Sequence, residues 1–167
     1  MDTAIITVRW NSKRFPGKSL EPLLGKPLLQ HVVDNAKKLT HSVGVATSTN
    51  STQIQEYCEQ HGISWIAGPE DDVLMRLAQA ATFTNTSHII RLWGDNPFSD
   101  TYYRIEKKDL IDLNKRITME QRIAWNEVDE AKVYEEHGIP VEWTYGKNMS
   151  IDTPKDLKEI EAYMRRP

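Results

Sequence analysis

The chain holds little that would tie it to a membrane, a secretory route or a polyanion. Among its 167 residues there is one cysteine, Cys58, so no internal disulfide can form. Set inside a helical pattern, that thiol reads as core packing in a reducing compartment. No apolar run reaches the ~20 residues that a membrane-spanning helix needs. The N-terminus carries no signal-peptide pattern, so a cytoplasmic protein is expected. Net charge is -3, from 21 Lys and Arg against 24 Asp and Glu. That balance argues against bulk binding to nucleic acid or a membrane surface, while a local cationic site stays open. Internal repeats and low-complexity tracts are absent. The length suits one domain with a sizeable core and is short for two.

What the chain does have is a dense loop, Arg9 to Lys26, reading RWNSKRFPGKSLEPLLGK. An apolar run from Ala4 to Val8 precedes it and suits a buried strand. Arg9, Lys13, Arg14, Lys18 and Lys26 are its cations, and Gly17 and Gly25 its glycines. A loop at the carboxyl end of a first strand is where open α/β sheets bind ligands. Cations and backbone N–H groups between Ser12 and Gly17 would hold a polyphosphate. A solvated basic loop is the plainer alternative. Gly17-Lys18-Ser19 resembles the end of a P-loop, but Ser12 stands where its first glycine belongs and Pro16 lacks an N–H.

The rest alternates strand and helix. Pro27 opens a helix with Leu28, Leu29, Val32, Val33, Ala36 and Leu39 inward. His31 is read as a helix-surface residue. Ser42 to Thr47 is a strand, Asn50 or Ser51 caps a helix ending at Gly62, and Ser64 to Ile66 is a third strand. Glu70, Asp71 and Asp72 precede a helix bearing Val73, Leu74, Leu77, Ala80 and Ala81, and carboxylates suit a first helical turn. His88 to Leu92 is a fourth strand ending in Trp93-Gly94-Asp95-Asn96-Pro97. There Asp95 is either a metal ligand at a strand end or one side of an Asx-turn. Ser99 to Gly138 is expected to be two polar helices broken near Ile117-Thr118. The second, Met119 to Val133, carries Ile123, Ala124, Val128 and Ala131 as a weak docking stripe. Val141 to Tyr145 alternates like a strand. Thr153 as N-cap and Pro154 at N1 account for the last helix without any help from Asp152. The pattern predicts a three-layer α/β/α sandwich with a mostly parallel sheet.

The loop resembles the signature of sugar-activating cytidylyltransferases, which include the CMP-Kdo and CMP-sialate synthetases and the spore-coat polysaccharide cytidylyltransferases. Arg9, Ser12, Arg14, Pro16, Gly17 and Lys18 stand in register with it, followed by Gly25-Lys26-Pro27, and Val8 replaces its usual alanine. The string Glu70-Asp71-Asp72-Val73-Leu74, with Arg76, resembles the segment beside the family's cytosine pocket. Gly94-Asp95-Asn96-Pro97 and Ile151 to Leu157 resemble its two metal-aspartate motifs.

The resemblance implies a Rossmann-like nucleotidyltransferase fold in one domain over residues 1–167. It implies CMP transfer from CTP to a sugar or sugar acid, with release of pyrophosphate. Arg9, Arg14 and Lys18 would surround the triphosphate, and Asp95 and Asp152 would hold Mg²⁺. Val8, Ser12 and Gly17, with Ala46, Thr47, Ser48, Glu70, Asp71, Asp72 and Arg76, would complete the nucleotide site. The family's acceptor and dimerisation segment is reduced here to about 101–147, and its Arg-Glu-His-Val-Thr-Pro string is missing. A homodimer docking through the Met119 to Val133 helix near Trp125 is expected. The reading from a different class is a nucleotide-binding subunit or regulator that has lost the acceptor lobe.

Overall fold

A computed structural model of the chain describes residues 1–127 and 130–167. The strand β1 (Asp2–Thr7) reads DTAIIT, with all but its first residue buried, as a strand covered on both faces requires. A two-residue hairpin, β2 (Pro22–Leu23) and β3 (Lys26–Pro27), leads into α1 (Leu28–Leu39). There follow β4 (Ser42–Ser48), α2 (Thr52–Gln60), β5 (Ser64–Gly68), α3 (Val73–Thr82) and β6 (His88–Trp93). The chain continues with β7 (Tyr102–Glu106), α4 (Lys107–Arg116), α5 (Met119–Glu127), α6 (Glu130–Glu136), β8 (Val141–Thr144) and α7 (Pro154–Met164).

Among the described residues six strands form one sheet in the order β5-β4-β1-β6-β7-β8. The first four are parallel, and β7 and β8 run antiparallel at the edge. Alternation along β1 feeds two cores. Ala4 and Ile6 pack with Leu29, Val32, Val33 and Ala36 of α1 and with Ile54 and Cys58 of α2. Ile5 faces the other way, onto Leu74 and Leu77 of α3, Leu110 and Leu113 of α4, Trp125 of α5 and Tyr134 of α6. The expected three-layer sandwich is therefore present. Burial pushes the Cys58 thiol up to about 11, as a packing residue would have it. The His31 side chain meets the Leu23 carbonyl at 2.6 Å, a local surface contact.

Topology places the ligand-binding edge. From β1 the chain steps outward to β4 and β5, then returns to β6 on the other flank of β1. The loops after β1 and β6 therefore diverge at a switch point, where open α/β sheets present a crevice. Register puts Thr7, Ala46 and Trp93 in one row at that edge.

The second half departs from expectation. Ser99 to Gly138 is not wholly helical, since Tyr102–Glu106 forms a strand against β6. Its Tyr103 and Ile105 are fully buried and alternate with Tyr102, Arg104 and Glu106. Charged neighbours on the wet side hid that period of two. The break at Ile117-Thr118 does separate α4 from α5. The expected docking stripe also differs: Ile123, Ala124 and Ala131 are exposed, and Val128 lies outside the described residues. Trp125 is buried edge-on against Tyr134, so it fills this chain's own core rather than an outer face.

If β7 is a core strand, Ile105→Ala should cost ~2–5 kcal/mol with the denaturant slope little changed. Lys108→Ala, on an exposed helix start, should leave the unfolding midpoint nearly unchanged. Urea unfolding of the two variants checks the contrast.

Candidate active site

The crevice above β1 and β6 is a cavity of about 620 Å³. Of the residues singled out in the sequence, Val8, Arg9, Ser12, Arg14, Lys18, Arg76, Asp95 and Asp152 line it together. Gly17, Ala46, Thr47, Ser48, Glu70, Asp71 and Asp72 are not on its wall.

The loop is held in place by local chemistry. Gly17 sits at φ +75°, and a Cβ there would come within 2.9 Å of the Trp10 ring. The Ser12 and Gly17 amides both donate to the Trp10 carbonyl, and the Lys18 amide donates to Phe15. Those amides are therefore occupied inside the loop. Among the described residues this leaves Lys13, Arg14 and Phe15 without a backbone acceptor, a smaller set of donors than the sequence promised. The Trp10 amide donates to Ser51, whose hydroxyl meets that of Ser48 at 2.5 Å. Ser48 thus braces the loop from below. Lys26 turns away to Asp34, 2.7 Å distant.

Lys18 is the centre of charge. Its ammonium donates to the Ile151 carbonyl at 2.8 Å. It stands 3.7 Å from Asp95 and 3.5 Å from Asp152, and Arg14 adds a 3.7 Å contact to Asp152. Burial raises the Asp95 carboxyl above its usual range, Lys18 opposes that, and the neighbouring Asp152 charge adds to it.

Both aspartates are free because neighbours do the local work. In the β6 loop it is Asn96 whose side chain accepts from the Phe98 and Ser99 amides, forming the Asx-turn. At α7, Thr153 accepts from the Asp156 amide, while Asp156 accepts from the amides of Asp152 and Thr153. Neither arrangement uses the Asp95 or Asp152 carboxylate. Two carboxylates from separate loops, already flanking one positive charge, match what Mg²⁺ takes from a protein when phosphate oxygens and water fill its remaining sites. No third acidic, His or Cys side chain joins them among the described residues.

Gly94 keeps the two strand ends close, because a Cβ there would meet Val8 Cβ at 2.7 Å and the Thr7 carbonyl at 2.9 Å. Arg76, 2 % exposed, donates to the Val8 and Ala46 carbonyls at 3.3 and 3.2 Å. Burial, with Arg91 and Arg9 nearby, pushes its guanidinium down to about 10. Its Nε has no hydrogen-bond partner among the described residues. Glu70 accepts from Asn50 at 2.7 Å, and that bond holds its carboxyl below the usual range. Asp72 caps α3 through the Met75 amide and pairs with Arg122 at 3.0 Å, while Asp71 is exposed.

The far wall holds residues that the sequence reading missed: Arg91, Trp93, Trp125, Asn126, Glu127 and Glu130. Arg91 had a signal, a lone charge inside an otherwise apolar strand. Trp125 to Glu130 had none, since their place depends on how α5 and α6 fold back over α3.

The cytidylyltransferase family model matches residues 3–108. A 3-deoxy-manno-octulosonate cytidylyltransferase from Anaeromyxobacter is 36% identical over 96 residues, covering 56% of this chain and 39% of that protein. A spore coat polysaccharide biosynthesis protein from Bacillus subtilis is 36% identical over 104 residues, covering 58% of this chain and 43% of that one. The matched segment thus spans about two fifths of these curated relatives. Among solved structures, a CMP:2-keto-3-deoxy-manno-octonic acid synthetase complexed with CTP superposes with a TM-score of 0.79 at 18% identity, covering 98% of each chain. A cytidylyltransferase from Leptospira borgpetersenii gives 0.77 at 20% identity, covering 96% of this chain and 85% of that one. At those identities the superpositions establish the fold.

The capping arrangement yields a test. Asp156→Ala should lower stability by ~1 kcal/mol, or ~2–4 °C in Tm. Asp152→Asn should lower Tm less, because the cap does not use its carboxylate. The Asp152 amide, followed by Thr153, holds the Asp156 carboxyl below its usual 3.8. The Asp156 contribution is therefore full above that value and lost as pH falls through the lowered one. Thermal melts of the wild type and Asp156→Ala from pH 7 downward should converge in acid.

Proposed function

This chain belongs to the cytidylyltransferase family, and from that premise we propose that it transfers CMP from CTP to a sugar-type acceptor and releases pyrophosphate. The observation that carries the reading is the meeting of Arg9, Arg14 and Lys18 with Asp95 and Asp152 in one crevice at the sheet's switch point. We take residues 1–167 as one nucleotidyltransferase domain, with 101–147 as its acceptor segment.

In the reaction an acceptor oxygen attacks the α-phosphorus, the bond from that phosphorus to the β-bridging oxygen breaks, and the electron pair leaves with pyrophosphate. Charge builds on the leaving group, so fixed cations and positioning matter more than covalent catalysis. Arg9 and Arg14, both exposed on the loop, meet the β- and γ-phosphates. Lys18, less mobile because Ile151 and two carboxylates hold it, sits nearest the α-phosphate. Asp95 and Asp152 would hold Mg²⁺, which when bound polarises the phosphate and makes an acceptor hydroxyl easier to deprotonate. Arg76, which lines the cleft and donates to the Val8 and Ala46 carbonyls, is the group we assign to the cytosine side. Ala46 to Ser48 and Glu70 to Asp72 lie behind it and would shape that end as carbonyl acceptors and loop braces. A protein that merely bound a nucleotide would need neither aspartate, and their release from capping and turn duties supports catalysis.

Calorimetry with CTP, ATP, GTP and UTP should give a preference for CTP; equal binding, or none, from all four overturns the proposal. Arg14→Ala should weaken CTP ~10-fold, as expected for loss of one charge-assisted contact, with Tm unchanged. Lys18→Ala should reduce turnover at least as much and also lower Tm, since it leaves Asp95 and Asp152 facing each other. Asp95→Asn should abolish pyrophosphate release while CTP still binds.

A further inference from the structure

The far wall of the cleft has the opposite chemistry to the loop. Apart from the loop cations and Arg76, Arg91 is the only cation lining the cavity among the described residues. Most of its donors are engaged within the chain. Its Nε and Nη2 donate to the two carboxylate oxygens of Glu130 at 3.3 and 3.2 Å, in a bidentate fork. Its Nη1 donates to the Thr7 hydroxyl and, at 2.7 Å, to the Leu92 carbonyl. The guanidinium lies 4.0 Å from the centre of the Trp93 ring. The two side chains are 3 and 12 % exposed. Glu130 also accepts from the Tyr103 hydroxyl at 2.6 Å, which in turn meets Tyr134 at 2.7 Å. Glu130 therefore sits on Arg91 as an external carboxylate would. Beside it Glu127 is exposed on the same wall.

We propose that this wall seats the acceptor and selects an uncharged sugar over a sugar acid, with Glu130 as the specificity-determining residue. The inference rests on the cytidylyl reading above. A sugar carboxylate placed here would meet the exposed Glu127 and find its natural partner, Arg91, already taken by Glu130; rejection by a like charge and an unmet desolvation penalty follow. Hydroxyl groups meet the reverse situation, because ionised carboxylates only accept hydrogen bonds. The Trp93 ring already carries Arg91 and stacks with Trp143 at 6.4 Å, and the aromatic run beside the cleft ends at the exposed Tyr145, stacked on Trp143 at 5.6 Å. An uncharged ring with polar edges suits such a shelf.

The test uses the full chain saturated with CTP and two probes, 2-keto-3-deoxy-manno-octonic acid and its methyl ester. They differ by one charge. Calorimetry should show the ester binding at least ~10-fold more tightly, with pyrophosphate release following the same order. An acid that binds as tightly as the ester, or an ester that does not bind, overturns the inference while intact CTP binding leaves the cytidylyl reading standing. Failure to bind CTP at all takes both down. In Glu130→Gln, which partly frees Arg91, acid affinity should rise ~10-fold relative to ester affinity; a residue that merely supported the fold would lower both together. Should that variant not fold, the two-probe comparison on the wild type still decides the matter.

Discussion

One ammonium group holds the cleft together. Lys18 reaches from the first loop to the Ile151 carbonyl and stands between Asp95 and Asp152. Without it, two carboxylates from different loops would face each other at the edge of the sheet, a like-charge pair that raises at least one pKa. With it, their charges are partly offset, and loops after β1, after β6 and before α7 share an anchor. A hydrogen bond to a charged group of this kind contributes ~1.5–3 kcal/mol. The lysine thus carries a structural role and, on the reading proposed above, a chemical one, and the two are joined through the same atom.

The second feature is division of labour between neighbouring side chains. Asn96 makes the turn that Asp95 would otherwise make, and Asp156 completes the cap that Asp152 stands beside. Neither site carboxylate is spent on the turn or the cap beside it. Arg91 shows the opposite case: its Nε, Nη1 and Nη2 groups already donate to Glu130, Thr7 and Leu92. Availability is therefore set by what the residue next door does, and exposure alone does not reveal it.

That distinction also separates what was legible in the sequence from what was not. The parallel half read well, because β1, β4 and β6 are short segments with β-branched apolar residues at their centres and their helices carry clear stripes. Asp152 could be set apart from capping on sequence alone, since Thr153 and Pro154 explain the helix start. Asp95 could not, because an aspartate before Asn-Pro fits a turn equally well until the Asn96 contacts are seen. β7 was lost because Arg104 and Glu106 occupy its half-buried positions and make a strand look like a polar helix. Of the loop amides expected to face a phosphate, those of Ser12 and Gly17 are turned inward by the Trp10 carbonyl. The α5–α6 wall was out of reach. Its position follows from long-range packing of Trp125, Val133 and Tyr134 onto α3 and β7, which no local pattern encodes.

The bond from Lys18 to Ile151 spans 133 positions of sequence. Closing so long a loop carries an entropic cost that local contacts cannot offset early, so contacts of this kind form late in folding. The central parallel strands and their helices can assemble while the segment before α7 is still unattached. Until it docks, Asp152 is elsewhere and Asp95 lacks the Ile151 amide that binds its carbonyl at 2.8 Å. The cleft is therefore complete only once the segment before α7 has docked, and competence depends on that one long-range closure.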